Sequence, residues 1–279
     1  MHAIAQETLV GALGLGLNEV VALVGAGGKT TALRLLGAEL TAGGSRVITT
    51  TTTAMLLREM SAVGPVLRQA EGGRLAARLK SALADGQRAA VAHSDGEGGK
   101  VVGLSPPAVD RLWAHGLADF LIVEADGSRG LPFKAFGPHE PQVPSTATTI
   151  VDVAGLDALG VPLTEEHVHR AEVLASILEI PLGSKVTTGV LAEGLRAQVG
   201  RLRRGNAGCR IVVLLNKADT PEVQAAGLDI ALQLLGRQGA AVGPGGEGDR
   251  VDGESGGRPD SVVVGSLRDG RFAVVAEET

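Results

Sequence analysis

The stretch VVALVGAGGKTTALRLL (residues 20–36) joins an apolar run to an amphipathic segment through a loop rich in glycine. A strand, a glycine loop, Lys-Thr and a helix, in this order, are typical of a phosphate-binding loop. Main-chain N–H groups of such a loop wrap a phosphate, and the N-terminus of the helix adds the positive end of its dipole. We therefore expect this loop to bind a nucleoside triphosphate through Gly25, Ala26, Gly27, Gly28, Lys29, Thr30 and Thr31.

Two side chains of the loop have distinct expected roles. We expect Lys29 to reach the outer phosphates as a catalytic group, and the Thr30 hydroxyl to coordinate Mg²⁺. The common motif has its first glycine five positions before the second, where this chain has Leu23. The shorter spacing Gly-x-x-Gly-Lys-Thr is that of Mur ligases and folate-polyglutamate ligases. The alternative interpretation is a strand-to-helix turn in which small residues only permit close packing.

Further apolar runs along the chain predict the strands of a parallel sheet that is covered on both faces. They lie at 46–50, 89–93, 120–125, 149–154, 210–216 and 261–266. Leucines recur at helical spacing between many of these runs, at 30–42, 74–84 and 222–238. The alternation predicts an α/β protein with a mostly parallel sheet flanked by helices, the P-loop NTPase fold. Ligands of such sheets bind beyond the carboxyl ends of the strands.

The domain organisation follows from length and composition. The chain has 279 residues, of which 44% are hydrophobic, enough for a full core. We expect a single domain over 1–279. The segment GPGGEGDRVDGESGGRPD (243–260) has no apolar period and predicts a mobile surface insertion.

Charge and cysteine content exclude several classes of protein. The formal net charge of −5 disfavours nucleic acid as a partner, because binding its phosphates requires clustered Lys and Arg. Cys209 is the single cysteine, so an internal disulfide framework and a cysteine-only metal site are excluded. No apolar run is long enough to cross a bilayer, and no signal-peptide pattern is present. We expect a cytoplasmic protein that binds neither nucleic acid nor membrane.

Two carboxylates follow the apolar run FLIVEAD (120–126), namely Glu124 and Asp126. A P-loop enzyme needs a carboxylate at the end of a neighbouring strand to hold Mg²⁺ or its water. A buried carboxylate without a partner is also costly. We expect Glu124 or Asp126 to hold the metal and to act in catalysis, although Asp126-Gly127 is also a turn signal.

Five threonines, at positions 49–53, end the second apolar run. Hydroxyls at this point of a parallel sheet are placed to meet Mg²⁺ or the γ-phosphate. Thr51 and Thr52 are the candidates, and Thr51 is the expected metal ligand. The alternative is that these β-branched residues only favour a strand.

A further set of polar residues points to a second substrate. Arg129 is expected to stabilise charge on a transferring phosphoryl group or to face that substrate. The residues expected to contact it are Ser128, Lys134, His139, His169 and Arg170. By residue type, His139, Glu140, His167 and His169 are an alternative metal site. A helix over 165–178 would direct His167 and His169 to different faces, which argues against that site.

The run RIVVLLNKAD (210–219) ends in Asn216-Lys217-Ala218-Asp219, the Asn-Lys-x-Asp pattern of GTPases. In that pattern the carboxylate accepts two hydrogen bonds from guanine and the lysine stem covers the base. Ser266 follows the last apolar run, where GTPases keep a small-residue loop beside the base. We expect Asn216, Lys217, Asp219 and Ser266 to bind the base of GTP or ATP, with guanine favoured. A strand followed by a turn with an Asp helix cap is the alternative.

Taken together, the segments VGAGGKTT, VITTTTTAM, VEADGSRGLPFKAFGPHEPQVP, VAGLDALGVPLTEEHVHR and LLNKAD resemble the YqeC family of selenium-dependent hydroxylase accessory proteins. The resemblance runs from about Leu9 to Asp219. It implies a cytoplasmic P-loop NTPase linked to the maturation of selenium-dependent molybdenum hydroxylases such as xanthine dehydrogenase. The implied partners are such a hydroxylase or its cofactor-maturation proteins. The resemblance implies no particular reaction.

Three functions remain open from the sequence. The first is an Mg²⁺-dependent nucleoside triphosphatase that drives a step on a selenium or molybdenum cofactor. The second is a ligase of the Mur type, which prefers ATP and forms an acyl phosphate. The third is a nucleotide-switched chaperone or scaffold with little turnover of its own.

Overall fold

The structure is a computed structural model that describes residues 2–71, 74–86, 88–236 and 257–276. Most of the insertion predicted at 243–260 therefore lies outside the described residues. Its last positions are described, and they contact the protein through Arg203. This guanidinium donates to the Arg258 carbonyl at 3.0 Å and pairs with Asp260 at 2.9 Å.

Within the described residues the chain forms fifteen strands, numbered here in chain order. They are β1 (His2–Gln6), β2 (Glu19–Gly25), β3 (Val47–Thr51), β4 (Met55–Leu56), β5 (Val66–Arg68), β6 (Arg88–Ala92), β7 (Ser94–Asp95), β8 (Lys100–Val102), β9 (Phe120–Glu124), β10 (Phe133–Lys134), β11 (Thr149–Gly155), β12 (Val168–His169), β13 (Arg210–Asn216), β14 (Ser261–Ser266) and β15 (Arg271–Ala276).

Eight α-helices occur in the same residues. They are α1 (Leu9–Ala12), α2 (Lys29–Ala42), α3 (Leu57–Ser61), α4 (Leu75–Gly86), α5 (Pro106–Trp113), α6 (Ala171–Leu178), α7 (Thr188–Gly205) and α8 (Pro221–Leu235). None of these helices is long and apolar enough to cross a lipid bilayer.

Ten of the described strands form one sheet in the order β1-β15-β14-β13-β11-β2-β9-β3-β6-β5. In this order, the eight strands from β14 to β5 are parallel to one another. At the other edge, β15 pairs antiparallel with β14, and β1 pairs antiparallel with β15. The expected α/β class with a mostly parallel sheet flanked by helices is confirmed, and it is consistent with a P-loop NTPase-like fold. The antiparallel edge was not expected from the sequence. It forms because a short turn joins β14 to β15, which allows only an antiparallel pair.

Helices cover both faces of this sheet, and strand β2 shows why its sequence is apolar throughout. Val20, Ala22 and Val24 pack into one core, with residues of α4, α5, α6, α7 and α8. Val21 and Leu23 pack into the other core, with residues of α1 and α2. A strand buried on both faces has no polar side, as the continuous apolar runs predicted.

The parallel register brings the strand ends to a single edge of the sheet. Glu124 lies beside both Leu23 and Thr51, and Val153 lies beside Gly25. On the far side of β11, Gly155 pairs with Asn216. Most of the polar residues singled out in the sequence therefore lie at this edge.

The three leucine patterns correspond to helices of the structure, whereas the helix considered over 165–178 does not match in length. The patterns at 30–42 and 74–84 correspond to α2 and α4, and the pattern at 222–238 to α8, as far as the described residues extend. The helix considered over 165–178 was too long, because α6 begins only at Ala171. His169 lies instead in β12, where it pairs with Lys134 of β10.

Candidate functional site

The loop between β2 and α2 depends on glycine for both conformation and space. Gly25, Gly27 and Gly28 have φ angles of 87°, 79° and 147°, which favour glycine. A Cβ atom on Gly27 would lie 2.3 Å from the amide nitrogen of Gly155, and one on Gly28 would lie 2.4 Å from Asn216 Nδ2. Neither position accepts a larger residue without a shift of its neighbours.

The main-chain donors of this loop are divided between the protein and the first turn of the helix. The amides of Gly25, Ala26 and Gly27 donate to the Asp126 carboxylate and to the carbonyls of Val153 and Leu131. These three amides are therefore not the cradle expected from the sequence. The first N–H groups of a helix lack partners within it, so the donors left for a phosphate are those of residues 28–31.

Lys29 opens α2, and its ammonium group lies inside the loop with 3% of the residue exposed. Its Nζ donates to the Gly25 carbonyl at 2.6 Å. It also lies 3.1 Å from Asp126 Oδ1, an ion pair that lacks hydrogen-bond alignment. An ammonium has three N–H groups, so a donor remains for an anion at the loop.

Asp126 is fully buried and faces lysines, so the structure does not support its expected role as an alternative Mg²⁺ ligand. One of its oxygens, Oδ2, accepts from the Gly25 amide at 2.9 Å and from Lys134 Nζ at 3.0 Å. The other lies beside Lys29. The carboxylate therefore fixes the start of the loop and positions its lysine.

Lys134 was expected to contact a second substrate, but its side chain is 0% exposed and is occupied within the protein. Besides Asp126, it donates to the Gly127 carbonyl and to Glu140 Oε2, each at 2.6 Å. Arg170 binds both oxygens of Glu140, with Nη2 donating to Oε1 at 3.0 Å. Burial alone would raise the pKa of Glu140, but the bonds from Arg170 and Lys134 lower it to about 2.

Glu124 ends β9 and faces the Thr30 hydroxyl, which donates to its Oε2 at 2.9 Å. Burial raises the pKa of Glu124, and the nearby Lys29 only partly offsets this effect. A threonine hydroxyl and a carboxylate are hard oxygen ligands, and Mg²⁺ typically uses one or two carboxylates together with substrate phosphates and water. These two side chains fit such an ion.

The threonines at the end of β3 bind main-chain groups in this structure. Thr49 and Thr50 donate to the carbonyls of Ala89 and Val91 in β6. The Thr51 hydroxyl donates to the Glu124 carbonyl at 3.0 Å rather than reaching its carboxylate. Its expected role as a metal ligand stays a prediction, and its observed role is to join β3 to β9.

Asn216 connects the phosphate loop to the turn after β14. Its Nδ2 donates to the Gly27 carbonyl at 2.8 Å, and its Oδ1 accepts from the Leu267 amide at 3.0 Å. Ser266 closes the same turn by accepting from the Asp269 amide at 3.1 Å. Both side chains therefore hold the loops around the site in place through hydrogen bonds to main-chain groups.

The remaining two residues of the Asn-Lys-x-Asp segment have ion-pair partners. Lys217, with φ of 66°, binds Asp157, which follows the neighbouring strand β11 at the same edge of the sheet. Asp219 lies 3.5 Å from Arg268, while its Oδ1 is buried without a hydrogen-bond partner. An unsatisfied buried acceptor costs free energy, so this oxygen is a candidate to accept a hydrogen bond from a ligand.

Two pockets border this segment. The larger, about 650 Å³, contains the loop and has a mixed lining: Gly27, Gly28, Lys29, Thr30, Thr31, Ala54, Leu56, Glu59, Lys100, Glu124, Gly127, Ser128, Arg129, Gly130, Asn216 and Lys217. The smaller, about 470 Å³, includes Asp219, Gln224, Gly265 and Arg271. Ser128 and Arg129 thus lie in the pocket of the phosphate loop, and their expected contact with a second substrate stays a prediction.

The residues expected to contact a second substrate are not all brought together. His139 is exposed on the segment after β10. His169 is 8% exposed, and burial together with the neighbouring Arg170 lowers its pKa. Within the described residues no three His, Cys, Asp or Glu side chains form a metal site, so the histidine-based alternative is not supported.

Sequence reasoning missed Asp152, a fully buried carboxylate in the middle of β11. Both of its oxygens lack hydrogen-bond partners, and its Oδ1 would lie 2.4 Å from a Cβ on Gly25. Burial, with a further contribution from Asp126, raises its pKa to about 8. The signal was available, since Asp152 interrupts the apolar run at 149–154 as Glu124 interrupts its own.

Comparison with known proteins adds an independent finding to this geometry. A family model described as "YqeC protein" matches residues 21–172. The chain is also 34% identical over 199 residues to a protein of Escherichia coli (strain K12) titled "Uncharacterized protein YqeC". That alignment covers 71% of this chain and 75% of the relative. The family match includes the phosphate loop, both strand-end carboxylates and the segment from Arg129 to Arg170.

Proposed function

This chain belongs to the YqeC family, and from that premise we propose that it binds a magnesium–nucleoside triphosphate at the β2–α2 loop and hydrolyses it or transfers its γ-phosphoryl group. The loop, Lys29 and the first-turn amides of α2 bind the phosphates. Glu124 and Thr30 hold the metal ion. The sheet edge between β11 and β14 binds the base.

The observation that carries this proposal is the position of the Lys29 ammonium. The Gly25 carbonyl and Asp126 hold it in the loop at 2.6 and 3.1 Å, so it is preorganised before any phosphate arrives. Preorganised charge stabilises a developing anion without reorganisation at the moment of reaction. In phosphoryl transfer, positioning and electrostatics supply almost all of the catalysis.

The burial of the Glu124 carboxylate also supports the proposal. Because burial raises its pKa, a divalent cation that binds there relieves an unfavourable carboxylate. Bound Mg²⁺ supplies positive charge that neutralises the β- and γ-phosphate oxygens. Arg129 lines the same pocket and is available to an anionic group that approaches the nucleotide.

We propose guanine as the preferred base. The carboxylate of Asp219 offers two acceptors for the two adjacent N–H donors of guanine: Oδ1 has no partner, and Oδ2 lies 3.5 Å from Arg268. Adenine does not present that pair of donors, so it would leave the carboxylate unpaired. Asn216 keeps the base segment in register with the phosphate loop through its bonds to Gly27 and Leu267.

For the cellular role, we propose an accessory function in the maturation of selenium-dependent molybdenum hydroxylases, with such a hydroxylase or one of its cofactor-maturation proteins as the partner. The nucleotide state would then drive or report one step of that process. A nucleotide-switched scaffold uses the same binding site and differs only in its turnover. A Mur-type ligase would require adenine and an acceptor carboxylate.

The test is a comparison of Lys29→Ala with Lys80→Ala, an exposed lysine of α4 that lies outside the pocket. Binding of GTP, ATP and their diphosphates with Mg²⁺ is measured by calorimetry and by thermal shift. We expect the wild type and Lys80→Ala to gain thermal stability with Mg-GTP, because a ligand of the folded state raises its stability by mass action. Lys29→Ala should lose at least about tenfold in affinity, the value of one charge-assisted hydrogen bond.

Unchanged binding by Lys29→Ala would refute the proposal. Phosphate release with and without a purified hydroxylase partner separates an NTPase from a switched scaffold. A preference for ATP together with ADP release that requires an acceptor carboxylate and an amine would instead identify the ligase.

A further inference from the structure

The small sheet β4–β8–β7 contributes one wall of the phosphate pocket. Leu56 of β4, Glu59 of α3 and Lys100 of β8 all line this pocket. Lys100 pairs with Leu56 across the sheet. The sequence patterns did not single out any of these residues.

This wall is fixed to the carboxyl edge of the main sheet. The Leu57 amide donates to the Gly99 carbonyl at 2.9 Å, and the Leu104 amide to the Thr51 carbonyl at 2.8 Å. Gly103 packs so closely that an added Cβ would lie 2.5 Å from the Thr51 carbonyl. Lys100 therefore stands on regular structure anchored to the end of β3.

Four cationic side chains line the pocket, and two of them have acidic partners. Lys29 is paired with Asp126, and Lys217 with Asp157. Lys100 and Arg129 are exposed and form no ion pair with any residue that the structure describes. Arg129 also has a φ of 54°, a left-handed conformation that is unfavourable for residues other than glycine. Such strain is found at functional sites.

We infer that Lys100 and Arg129 form a second anion subsite, which binds a carboxylate or phosphate group of a second substrate beside the nucleotide. This inference rests on the proposed function, because it concerns the same pocket. A triphosphate at the loop already has Lys29, the first-turn amides and the metal ion as counter-charges. Lys100 comes from a separate wall and adds charge beyond that requirement.

The chemistry of the two cations fits an oxyanion. A guanidinium presents parallel N–H donors that match a carboxylate or phosphate, and an ammonium adds a compact charge. Glu59 and Glu124 are the carboxylates in the lining, and Glu59 is close enough to raise the pKa of Glu124. An ion at Glu124 offsets their repulsion of an arriving anion, so the subsite binds best once Mg²⁺ and nucleotide are in place.

The experiment titrates inorganic phosphate, as the probe, into the full chain saturated with Mg²⁺ and a non-hydrolysable GTP analogue, and separately into the Mg-GDP complex. Lys100→Met and Arg129→Met are compared with the wild type and with Lys80→Met as the matched control. We expect phosphate to bind both complexes, with each pocket variant at least about tenfold weaker and Lys80→Met within about twofold. Nucleotide affinity is measured in the same samples.

Equal phosphate affinity in all four proteins would overturn the inference. Phosphate binding to the GDP complex but not to the triphosphate complex would also overturn it, since the two cations would then serve the γ-phosphate. A chain that binds no nucleotide refutes the proposed function. In that case phosphate titrated into the Mg²⁺-loaded, nucleotide-free proteins still decides between an anion subsite that depends on Lys100 and Arg129 and none.

Discussion

The ammonium of Lys134 lies 3.0 Å from Asp126 Oδ2, and both side chains are fully buried. Asp126 also pairs with Lys29, and Lys134 also pairs with Glu140. This one pair therefore joins the phosphate loop to the segment that leads to His139. Segments that are far apart in sequence are linked by a chain of ionic contacts beneath the pocket.

Removal of the Lys134 charge should be strongly destabilising, because it leaves the buried Asp126 and the half-buried Glu140 with one partner fewer. We expect Lys134→Met to lower the free energy of unfolding by about 3–5 kcal/mol, the usual cost of breaking a buried ion pair. Urea denaturation gives the value. Lys80→Met on the exposed face of α4 should change it by less than about 0.5 kcal/mol. A loss under about 1 kcal/mol in Lys134→Met would show that the pair contributes little.

Asp152 should make stability depend on pH. Its pKa is about 8 in the folded chain against an ordinary value of 3.8, so between these values the folded state binds the extra proton. The free energy of unfolding therefore falls as pH rises through this window. Asp152→Asn removes this contribution, and its stability relative to the wild type should rise with pH by up to about 1.4 kcal/mol per unit. Denaturant titrations from pH 5 to pH 8 measure the difference, and parallel pH curves for the two proteins would contradict it.

Two glycines near the site should respond in opposite directions to alanine. Gly27→Ala forces a side chain into a φ of 79° and against Gly155, so nucleotide binding and stability should both fall. Gly37 lies inside α2, where an added Cβ meets only Thr49 Cγ2 at 3.9 Å. Gly37→Ala should raise stability by about 0.5–1 kcal/mol, because alanine favours a helix over glycine. Thermal melts with and without Mg-GTP decide both, and tolerance of alanine at position 27 would remove the steric argument for the loop.

Base preference should follow the donors and acceptors at position 219. Asp219→Asn replaces one acceptor with a donor, which mismatches the N–H pair of guanine and matches the carbonyl and N–H of xanthine. We expect GTP affinity to fall by at least about a hundredfold, the value of two charge-assisted hydrogen bonds, and xanthosine triphosphate to gain. Competition binding with the two nucleotides measures the switch. If both nucleotides weaken equally, or neither changes, Asp219 does not contact the base.

The sequence alone was sufficient to predict most of the parallel part of the sheet and the position of the loop. Unbroken apolar runs such as 20–24 indicate strands covered on both faces, and the glycines before Lys29 indicate a turn that few other residues can form. The apolar runs and the glycine turn are both local patterns, so they can be read without knowledge of the tertiary contacts. The same local patterns placed Glu124, Ser128 and Arg129 beside the loop, because parallel strands end at one edge.

The tertiary structure alone decided which polar side chains face the pocket and which are enclosed. Asp126 and Lys134 look like ligand-binding residues in the sequence, yet they satisfy one another in the interior. Lys100 and Glu59 carry no motif, yet the small sheet and helix α3 bring them to the pocket wall. Burial and charge pairing are set by contacts between distant segments, because a carboxylate is stabilised by whichever cation the fold places beside it, and sequence spacing does not record that distance.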